Sequence, residues 1–402
     1  MSERTKNVIC ALIAAVISTG LFYIIYRIEQ IGSSSKNHIT VGFVYDGDGS
    51  TPYTANFMQA AAQLSAELGD KVTVLERFNV PTESVENTFT ELVDQGCDII
   101  FSNSYDYGDV SKRMAEKYGD VQFCQATCSN ANASPVLANY HNFMGEIYQG
   151  RYICGMIAGR KLMEMISKGE ITEGQAVLGY VAAFPVPEVI SGYTAFFLGA
   201  RSQCPAVVMK VKYTNTWSDY ATENKAAKEL ISEGCVIISQ HSDTIGPAIA
   251  CENADMPYRV YHIGYNQDMM NVAPYSTLCG TRIDWAPYVV GAVRAVLDKD
   301  EIESEVDGNV NGNDISGGFK EGWVRMLGIN EVATAEGTSE MVETATEDMI
   351  RGRTEVFKGD YIGVDPNDPT DTYDLSVEYP ENEKFSAPTF HYVLKDVITV
   401  LE

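Results

Sequence analysis

Residues 38–45 read HITVGFVY, a run rich in β-branched and aromatic side chains that predicts a strand. Apolar residues with helical spacing follow over Thr54–Leu68, and a second strand is predicted over Lys71–Phe78. Strands that alternate with helices of this length indicate βαβ units, whose strands pair in parallel. The chain after residue 37 therefore predicts an α/β fold.

The same alternation continues to residue 126 and starts again near residue 176. Residues 300–320 are acidic and rich in Gly and Asn, so they predict a loop. Two successive runs of this kind predict two doubly wound, Rossmann-like lobes. The further predicted strands are Asp98–Phe101, Val121–Ala126, Ala176–Ala183, Ala206–Tyr213, Val236–Ser239, Arg259–Ile263 and Thr277–Ile283, and the further helices are Val85–Gln95, Val110–Tyr118, Phe143–Lys168, Pro187–Ser202, Tyr220–Glu233, Ile245–Glu252, Trp285–Leu297 and Glu340–Arg351.

The N-terminal segment contains an uncharged run of 19 residues, Val8–Tyr26. As a helix it would span about 28 Å, close to the hydrocarbon thickness of a bilayer. Arg4 and Lys6 precede it and weakly favour a cytoplasmic N-terminus with an exported body. The run exceeds the apolar core of ordinary signal peptides, and no small-residue cleavage site follows. We expect an uncleaved single-pass anchor in the cell membrane, with a cleaved signal peptide as the alternative.

The composition excludes some classes of partner. The 402 residues carry 29 Lys and Arg against 55 Asp and Glu, a formal charge of −26. This acidity argues against nucleic acid and anionic lipid as partners. The nine cysteines are odd in number and sparse, which favours small buried side chains over a disulfide framework or a zinc site. Asp46–Gly49 (DGDG) lacks the spacing of a phosphate or calcium loop, so we expect no metal, cofactor or catalytic residue.

Ligands of doubly wound sheets bind beyond the carboxyl ends of the strands. Aromatic residues recur together with Asn and Asp at most of the predicted strand ends. Rings of this kind stack on the faces of a flat, uncharged ligand, while carboxylates and amides bind its edge. The candidate ligand residues at these positions are Asp46, Ser104, Tyr105, Asp106, Phe184, Trp217, Asp243, Asn266, Asp268, Asp284 and Trp285.

Seven stretches follow one another along the chain: Glu146–Tyr152 (EIYQGRY), Phe184–Ile190 (FPVPEVI), Gly199–Ser202 (GARS), Asn215–Trp217 (NTW), Gln240–Asp243 (QHSD), Asp284–Tyr288 (DWAPY) and Gly317–Gly322 (GGFKEG). In this order they resemble the basic membrane protein (BMP) family, the substrate-binding proteins of ABC importers that include purine nucleoside receptors. The resemblance covers roughly residues 38–362 and implies a type I periplasmic-binding-protein fold, with two hinged lobes and the ligand between them.

The resemblance implies a purine ligand. It suggests that Tyr53 and Phe184 stack on the two faces of the base. Asp106 and Asp243 are then candidates for the base edge, and Tyr105 and Trp217 for the walls of the site.

Nucleoside-binding relatives hold the ribose with an Asp and a Lys. Asn266 and Thr281 align with those positions here, which makes a free nucleobase plausible. A slip of one or two positions in the alignment would instead bring in Asp268 or Arg282.

The domain assignment follows from the same reading. Residues 1–37 form the anchor and a Ser-rich linker, and residues 363–402 form an acidic C-terminal extension. Lobe I comprises residues 38–144 and about 284–320, and lobe II comprises about 145–283 and 321–362.

The sequence therefore predicts an extracytoplasmic substrate-binding protein, not an enzyme, that delivers a purine nucleobase or nucleoside to ABC permease subunits. One alternative is a membrane-tethered ligand-sensing receptor, although only about seven residues precede the membrane run. Another is a nucleoside-processing enzyme on the same fold, although the sequence shows no cluster of carboxylates that would activate water.

Overall fold

The computed structural model describes residues 36–402. Within that range, none of the helices combines the length and the apolar character needed to cross a bilayer. The predicted anchor, Val8–Tyr26, lies outside the described residues and stays a prediction.

Strands and helices alternate through most of the described chain. The strands are β1 (Ile39–Val44), β2 (Val72–Arg77), β3 (Ile99–Ser102), β4 (Gln122–Ala126), β5 (Tyr140–Gly145), β6 (Val177–Ala182), β7 (Val208–Tyr213), β8 (Ile237–His241), β9 (Tyr261–Tyr265), β10 (Thr277–Ile283), β11 (Asn309–Asn311), β12 (Asp314–Gly317), β13 (Val324–Met326), β14 (Ile362–Val364), β15 (Thr372–Asp374), β16 (Val393–Leu394) and β17 (Ile398–Leu401). The α-helices are α1 (Pro52–Leu68), α2 (Val85–Asp94), α3 (Gly108–Lys117), α4 (Ile147–Ser167), α5 (Pro187–Gln203), α6 (Tyr220–Ser232), α7 (Gly246–Glu252), α8 (Ala286–Asp298), α9 (Ile302–Glu305) and α10 (Thr338–Ile350).

The described residues form two seven-stranded sheets and one small sheet of three strands. The first large sheet has the order β11-β12-β5-β4-β3-β1-β2, and the second has the order β13-β10-β9-β8-β6-β7-β17. All pairs in these sheets are parallel except β11 with β12 and β10 with β13. The predicted α/β architecture is confirmed. Strands β14, β15 and β16 form the third, antiparallel sheet.

Helices α4 and α5 cross with their backbones in contact. A Cβ atom on Gly155 would lie 1.9 Å from the carbonyl oxygen of Phe196, and one on Gly199 would lie 1.9 Å from that of Tyr152. Only glycine allows this approach. The contacts lie in the first turns of α4 and near the end of α5, so they hold the first turns of α4, which carry Arg151 of the site described below, against α5.

Two predictions from the sequence are wrong in detail. The predicted helix Phe143–Lys168 begins as strand β5, and α4 starts only at Ile147. Residues 300–320 are not a continuous loop, because they contain α9, β11 and β12. Strand β12 reads only DISG, yet it pairs in parallel with β5 and is fully buried. Tertiary pairing supplies the stability that local propensity lacks there.

The C-terminal strap, residues 382–401, contacts both large sheets. Near its start, the Ser386 N–H donates to Asp314 Oδ1 at 2.9 Å, at the first residue of β12. At its end, β17 pairs in parallel with β7, with Ile398 opposite Met209. The end of the predicted acidic extension, where the sequence indicates a short apolar element over Tyr392–Leu401, therefore forms an edge strand of the second sheet.

Candidate functional site

One wall of the candidate site lies at the carboxyl end of the first sheet, where β1 and β3 end side by side. Asp46 follows β1, and its N–H donates to Oδ1 of Asn103 at 3.0 Å. Tyr53, on the first turn of α1, donates its hydroxyl hydrogen to the backbone carbonyl of Asn103. Asn103 therefore joins three elements and fixes both the carboxylate and the ring.

The opposite wall lies at the carboxyl end of the second sheet and carries two aromatic rings. Phe184 follows β6 and meets Trp217 edge-on, with ring centroids 5.4 Å apart and an interplanar angle of 60°. Phe184 is half-buried, and Trp217 is 41% exposed. Because both rings keep accessible surface, this wall can cover the face of a planar ligand.

Asp243 follows β8 on a loop that a neighbouring carboxylate holds in place. Glu223 Oε2 accepts the hydroxyl groups of Ser242 and Thr244, at 2.8 and 2.7 Å, and the Thr244 N–H at 3.1 Å. Oδ1 of Asp243 is buried and has no hydrogen-bond partner among residues 36–402. Burial, reinforced by the nearby charge of Glu223, raises the pKa of Asp243 well above its ordinary value.

The two walls touch across the cleft. Asn56 on α1 donates from Nδ2 to the carbonyl oxygen and Oδ1 of Asn266, both at 3.2 Å, and Asn266 follows β9 of the second sheet. Arg282 on β10 donates to Gln59 on α1. These bonds fix the spacing of the walls where the chain passes from one sheet to the other.

Carboxylates from both walls gather around Tyr53. Burial raises the pKa of Tyr53 well above its ordinary value, and the charges of Asp46, Glu188 and Asp243 raise it further. Asp46 comes from the first wall, whereas Glu188 and Asp243 come from the second. The space between the walls therefore favours a ligand that presents hydrogen-bond donors and carries no negative charge.

Arg151 places a buried positive charge beneath this acidic space. Its side chain is fully buried, and its three nitrogens have no hydrogen-bond partner among the described residues. The guanidinium lies 4.0 Å from the ring centroid of Tyr265 and 5.8 Å from that of Tyr180. Its charge lowers the pKa of Asp243 and so partly opposes the effect of burial. Arg151 is thus the countercharge of the acidic site.

His241 and Glu188 form a second buried contact in the same wall. Nε2 of His241 lies 3.4 Å from Oε1 of Glu188, which is in the first turn of α5. The His241 ring packs on Tyr265 with centroids 4.6 Å apart. Burial lowers the pKa of His241, which favours the neutral imidazole despite the carboxylate.

Some predicted site residues are held by contacts within the protein. Trp285 is 1% exposed and stacks on Phe57 with centroids 4.2 Å apart, in the core of the first lobe. Oδ2 of Asp284 forms an ion pair with Nε of Arg325 at 2.7 Å, and Oδ1 accepts a hydrogen bond from the Ala286 N–H at 3.2 Å.

Others lie at the margin of the cleft. Asp268 Oδ1 accepts the Met270 N–H at 2.9 Å, and the carbonyl oxygen of Ser104 accepts Nε2 of Gln125 at 2.7 Å. Tyr105 is 71% exposed, and Asp106 is exposed beside it. The residues that the fold brings together are therefore Asp46, Tyr53, Phe184, Trp217, Asp243 and Asn266.

A cavity of about 590 Å³ lies elsewhere, near the amino ends of the first sheet. Asp98 and Gln122 line it, and they stand at the starts of β3 and β4. Because ligands of doubly wound sheets bind at the opposite edge, this cavity is not the candidate site.

The sequence reading did not assign Glu188, Asn103 or Arg151 to the site. Glu188 stands inside the FPVPE stretch and Arg151 inside EIYQGRY, both quoted for the family resemblance. A charged residue at the head of the otherwise apolar run YICGMIAG was the available signal for Arg151. Asn103 stands first among the residues that follow the third predicted strand, but its role depends on elements that meet only in the fold.

Comparisons with known proteins identify the family of the chain. A family model described as "ABC transporter substrate-binding protein PnrA-like" matches residues 39–353. The chain is 32% identical over 294 residues to a purine-binding protein of Brucella abortus, which covers 73% of this chain and 76% of that protein. It is 31% identical over 269 residues to a putative ABC transporter glucose-binding protein of Haloferax volcanii, which covers 62% of this chain and 63% of that protein.

A solved structure supports the fold. The ABC transporter solute-binding protein from Aeropyrum pernix K1 superposes with a TM-score of 0.61 at 16% identity, covering 78% of this chain and 92% of that chain. The resemblance inferred from the sequence is confirmed by the family match. The chain belongs to the PnrA-like family of ABC transporter substrate-binding proteins.

Proposed function

We propose that this chain captures a purine nucleobase in the cleft between its lobes and delivers it to the permease of an ABC importer. The observation that supports this best is the pair of facing walls, with Phe184 and Trp217 on one side and Tyr53 on the other. The carboxylates of Asp46, Glu188 and Asp243, which come from both walls, lie near these rings. Rings bind the faces of the heterocycle, and carboxylates accept hydrogen bonds from its N–H edge.

A free base fits these side chains better than a nucleoside. Thr281, which aligns with the ribose-binding Lys of relatives, is fully buried and donates its hydroxyl to the carbonyl of Arg325 at 3.0 Å. Asn266 is buried and already accepts from Asn56. The Thr281 hydroxyl is therefore engaged within the protein, whereas Nδ2 of Asn266 is buried without a partner among the described residues and remains available to a ligand. The carboxylates would also repel a phosphate, which argues against nucleotides.

The names of the relatives support the same class of function and define the competing ligand. The Brucella abortus relative is named as a purine-binding protein, and the Haloferax volcanii relative as a putative glucose-binding protein. Sugars are recognised through hydrogen bonds to their many hydroxyl groups. A planar ring gains more binding energy from stacking on exposed or half-exposed aromatic side chains, here Tyr53, Phe184 and Trp217. We therefore place purines ahead of sugars.

Binding would work by closure of the hinge. A ligand that contacts both walls favours the conformation in which the walls are near each other, and closure excludes water from the polar contacts. The chain passes between the two large sheets at β5–α4, β10–α8 and β12–β13, so closure is a rotation at these three connections.

The experiment is titration calorimetry of purified residues 36–402 with adenine, guanine, hypoxanthine, their nucleosides and glucose. We expect a purine base to bind, and we expect Phe184→Ala to weaken that binding by about 5- to 150-fold, because stacking on a base contributes about 1–3 kcal/mol. Phe385→Ala is the matched control, since Phe385 is 36% exposed and lies in the C-terminal strap. It should bind as the parent does.

Unchanged affinity in Phe184→Ala would reject the stacking role. Binding of glucose but no purine would reject the ligand class while leaving the transport function in place. Tighter binding of a nucleoside than of its base would reject the argument from Thr281.

Substrate-binding proteins of ABC transporters are extracytoplasmic and work with permease subunits. We propose that residues 8–26 tether this one to the cell membrane as an uncleaved anchor. Intact mass measurement of the full chain from the membrane fraction tests this. A mature protein that begins after residue 26 would support a cleaved signal peptide instead.

A further inference from the structure

The small third sheet brings two aspartates and a histidine together, outside the residues that match the family. Asp365 follows β14, Asp371 precedes β15, and His391 precedes β16. The loop between the first two reads DPNDPTD and is closed by the Asp365 N–H, which donates to the Asp371 carbonyl at 3.0 Å. The three side chains come from different strand ends, so the fold of this sheet creates the cluster.

The inner atoms of the three side chains face one another. Nε2 of His391 lies 3.5 Å from Oδ2 of Asp371 and 3.9 Å from Oδ2 of Asp365. One ligand atom from each of the three side chains lies within 4.8 Å of the others. All three side chains are partly exposed, at 32% for His391, 44% for Asp371 and 17% for Asp365, so an ion can reach them.

The outer atom of each side chain is already hydrogen-bonded. Nδ1 of His391 lies 2.7 Å from the carbonyl of Thr389. Because a carbonyl only accepts, Nδ1 carries the hydrogen, which in the neutral imidazole leaves a lone pair on Nε2. Oδ1 of Asp371 accepts the Tyr392 hydroxyl at 3.1 Å, and Oδ1 of Asp365 accepts the Asn367 N–H at 2.8 Å. This pattern of outer partners orients the ligands of metal ions in proteins.

The inner distances suit a metal ion better than a shared proton. A hydrogen bond from a protonated imidazole to a carboxylate would bring N and O to about 2.7–3.2 Å. Here both N–O distances exceed that range. Two ligands of a tetrahedral zinc ion, each bound at about 2.0–2.2 Å, stand about 3.3–3.6 Å apart. The His391–Asp371 distance of 3.5 Å falls within that spacing, and the His391–Asp365 distance is slightly longer.

We propose that Asp365, Asp371 and His391 form a binding site for a zinc-like divalent transition-metal ion. Nε2 of His391 and the two Oδ2 atoms are the ligands, and water completes the coordination. The imidazole ligand favours such an ion over Ca²⁺ or Mg²⁺, which prefer oxygen ligands. The ion would fasten the loop 365–371 to His391, which lies within the C-terminal strap. The sequence predicts no metal site, because these three ligands lie apart along the chain and come together only in the third sheet.

The test is zinc binding by the purified full chain, with stoichiometry by elemental analysis after dialysis and affinity by competition with a chromophoric chelator. We expect one zinc ion per chain and a higher melting temperature with zinc. His391→Ala and Asp371→Asn should each weaken zinc binding at least tenfold. His38→Ala is the matched control, because His38 lies on the first lobe and bonds to the Asp70 carbonyl and Thr73. It should bind zinc as the parent does.

Cobalt provides the second readout. The parent should give the intense visible absorption of four-coordinate Co²⁺, and both variants should lose it. Circular dichroism in metal-free buffer checks that each variant is folded. If His391→Ala or Asp371→Asn does not fold, Asp365→Asn is tested in its place. Zinc binding that is substoichiometric in the parent, or equal in the parent and in folded variants, would overturn the proposal.

Discussion

Asp314 makes the stability of this protein depend on pH in a direction that the structure defines. It begins β12 and is 1% exposed, and its Oδ1 accepts the Ser386 N–H from the C-terminal strap at 2.9 Å. Its Oδ2 is buried and has no partner among residues 36–402. Burial raises the pKa of Asp314 from 3.8 to about 6. Between about pH 4 and pH 6, the folded protein therefore keeps a proton on this carboxyl that the unfolded chain has released.

The sign and size follow from proton linkage. Because the folded pKa lies above the unfolded one, the contribution to stability is fully present below about pH 4 and is lost as pH rises through about 6. The gap between 3.8 and about 6 corresponds to about 3 kcal/mol over the full range. Between pH 8 and pH 5, the same relation gives about 1.4 kcal/mol. Asp314→Asn keeps the acceptor for Ser386 and removes the titration.

The assay is urea unfolding of the parent and Asp314→Asn at pH 5 and pH 8. The variant should gain about 1.4 kcal/mol relative to the parent on going from pH 5 to pH 8. Asp307→Asn is the control, because Asp307 is exposed, and it should follow the parent at both pH values. A difference between parent and Asp314→Asn that is the same at both pH values would refute the reasoning.

Three further predictions concern the core, the strap and the site. Trp285→Ala should lower the free energy of unfolding by about 3–5 kcal/mol, because the ring is buried against Phe57, and chemical denaturation would show a loss below 1 kcal/mol if that packing were unimportant. Glu381 accepts the N–H groups of the strap residues Thr389 and Phe390, and burial raises its pKa to about 7. The stability of Glu381→Gln relative to the parent should therefore be higher at pH 8 than at pH 5, even though the amide replaces one accepting oxygen, and melting curves with the opposite order would contradict this. Arg151→Met should weaken ligand binding while the protein stays folded, since the acidic site loses its countercharge, and calorimetry giving the parent affinity would argue against that role.

The sequence predicts the fold well where elements are long and periodic. The alternation from β1 through α8 appears in the structure with small shifts of boundary, because most strands are apolar or alternating runs and the helices between them are long enough to show helical spacing. It fails at Asp314–Gly317, since four residues become a strand only when β5 is beside them. The pairing of β17 with β7 was likewise hidden, because no local pattern specifies a distant partner.

The sequence also predicts some residues of the candidate site correctly and misplaces others. Asp46, Phe184 and Asp243 were accessible to the sequence reading, because each follows a recognisable strand and strand ends bind ligands. Trp285 follows a strand too, but the helix that begins beside it turns its ring into the core against Phe57. Whether a strand-end side chain faces the cleft or the core depends on the turn after the strand. Residue type and position alone do not settle that.

Strand β17 also bears on how the chain acquires its structure during synthesis. Ile398 pairs with Met209, nearly 190 residues earlier, so the outer side of β7 stays without its partner until residues 398–401 have been synthesised. An unpaired strand edge invites pairing with other chains. The second sheet is therefore completed only after residues 398–401 have left the ribosome. Nascent chains would need shielding from one another in that interval.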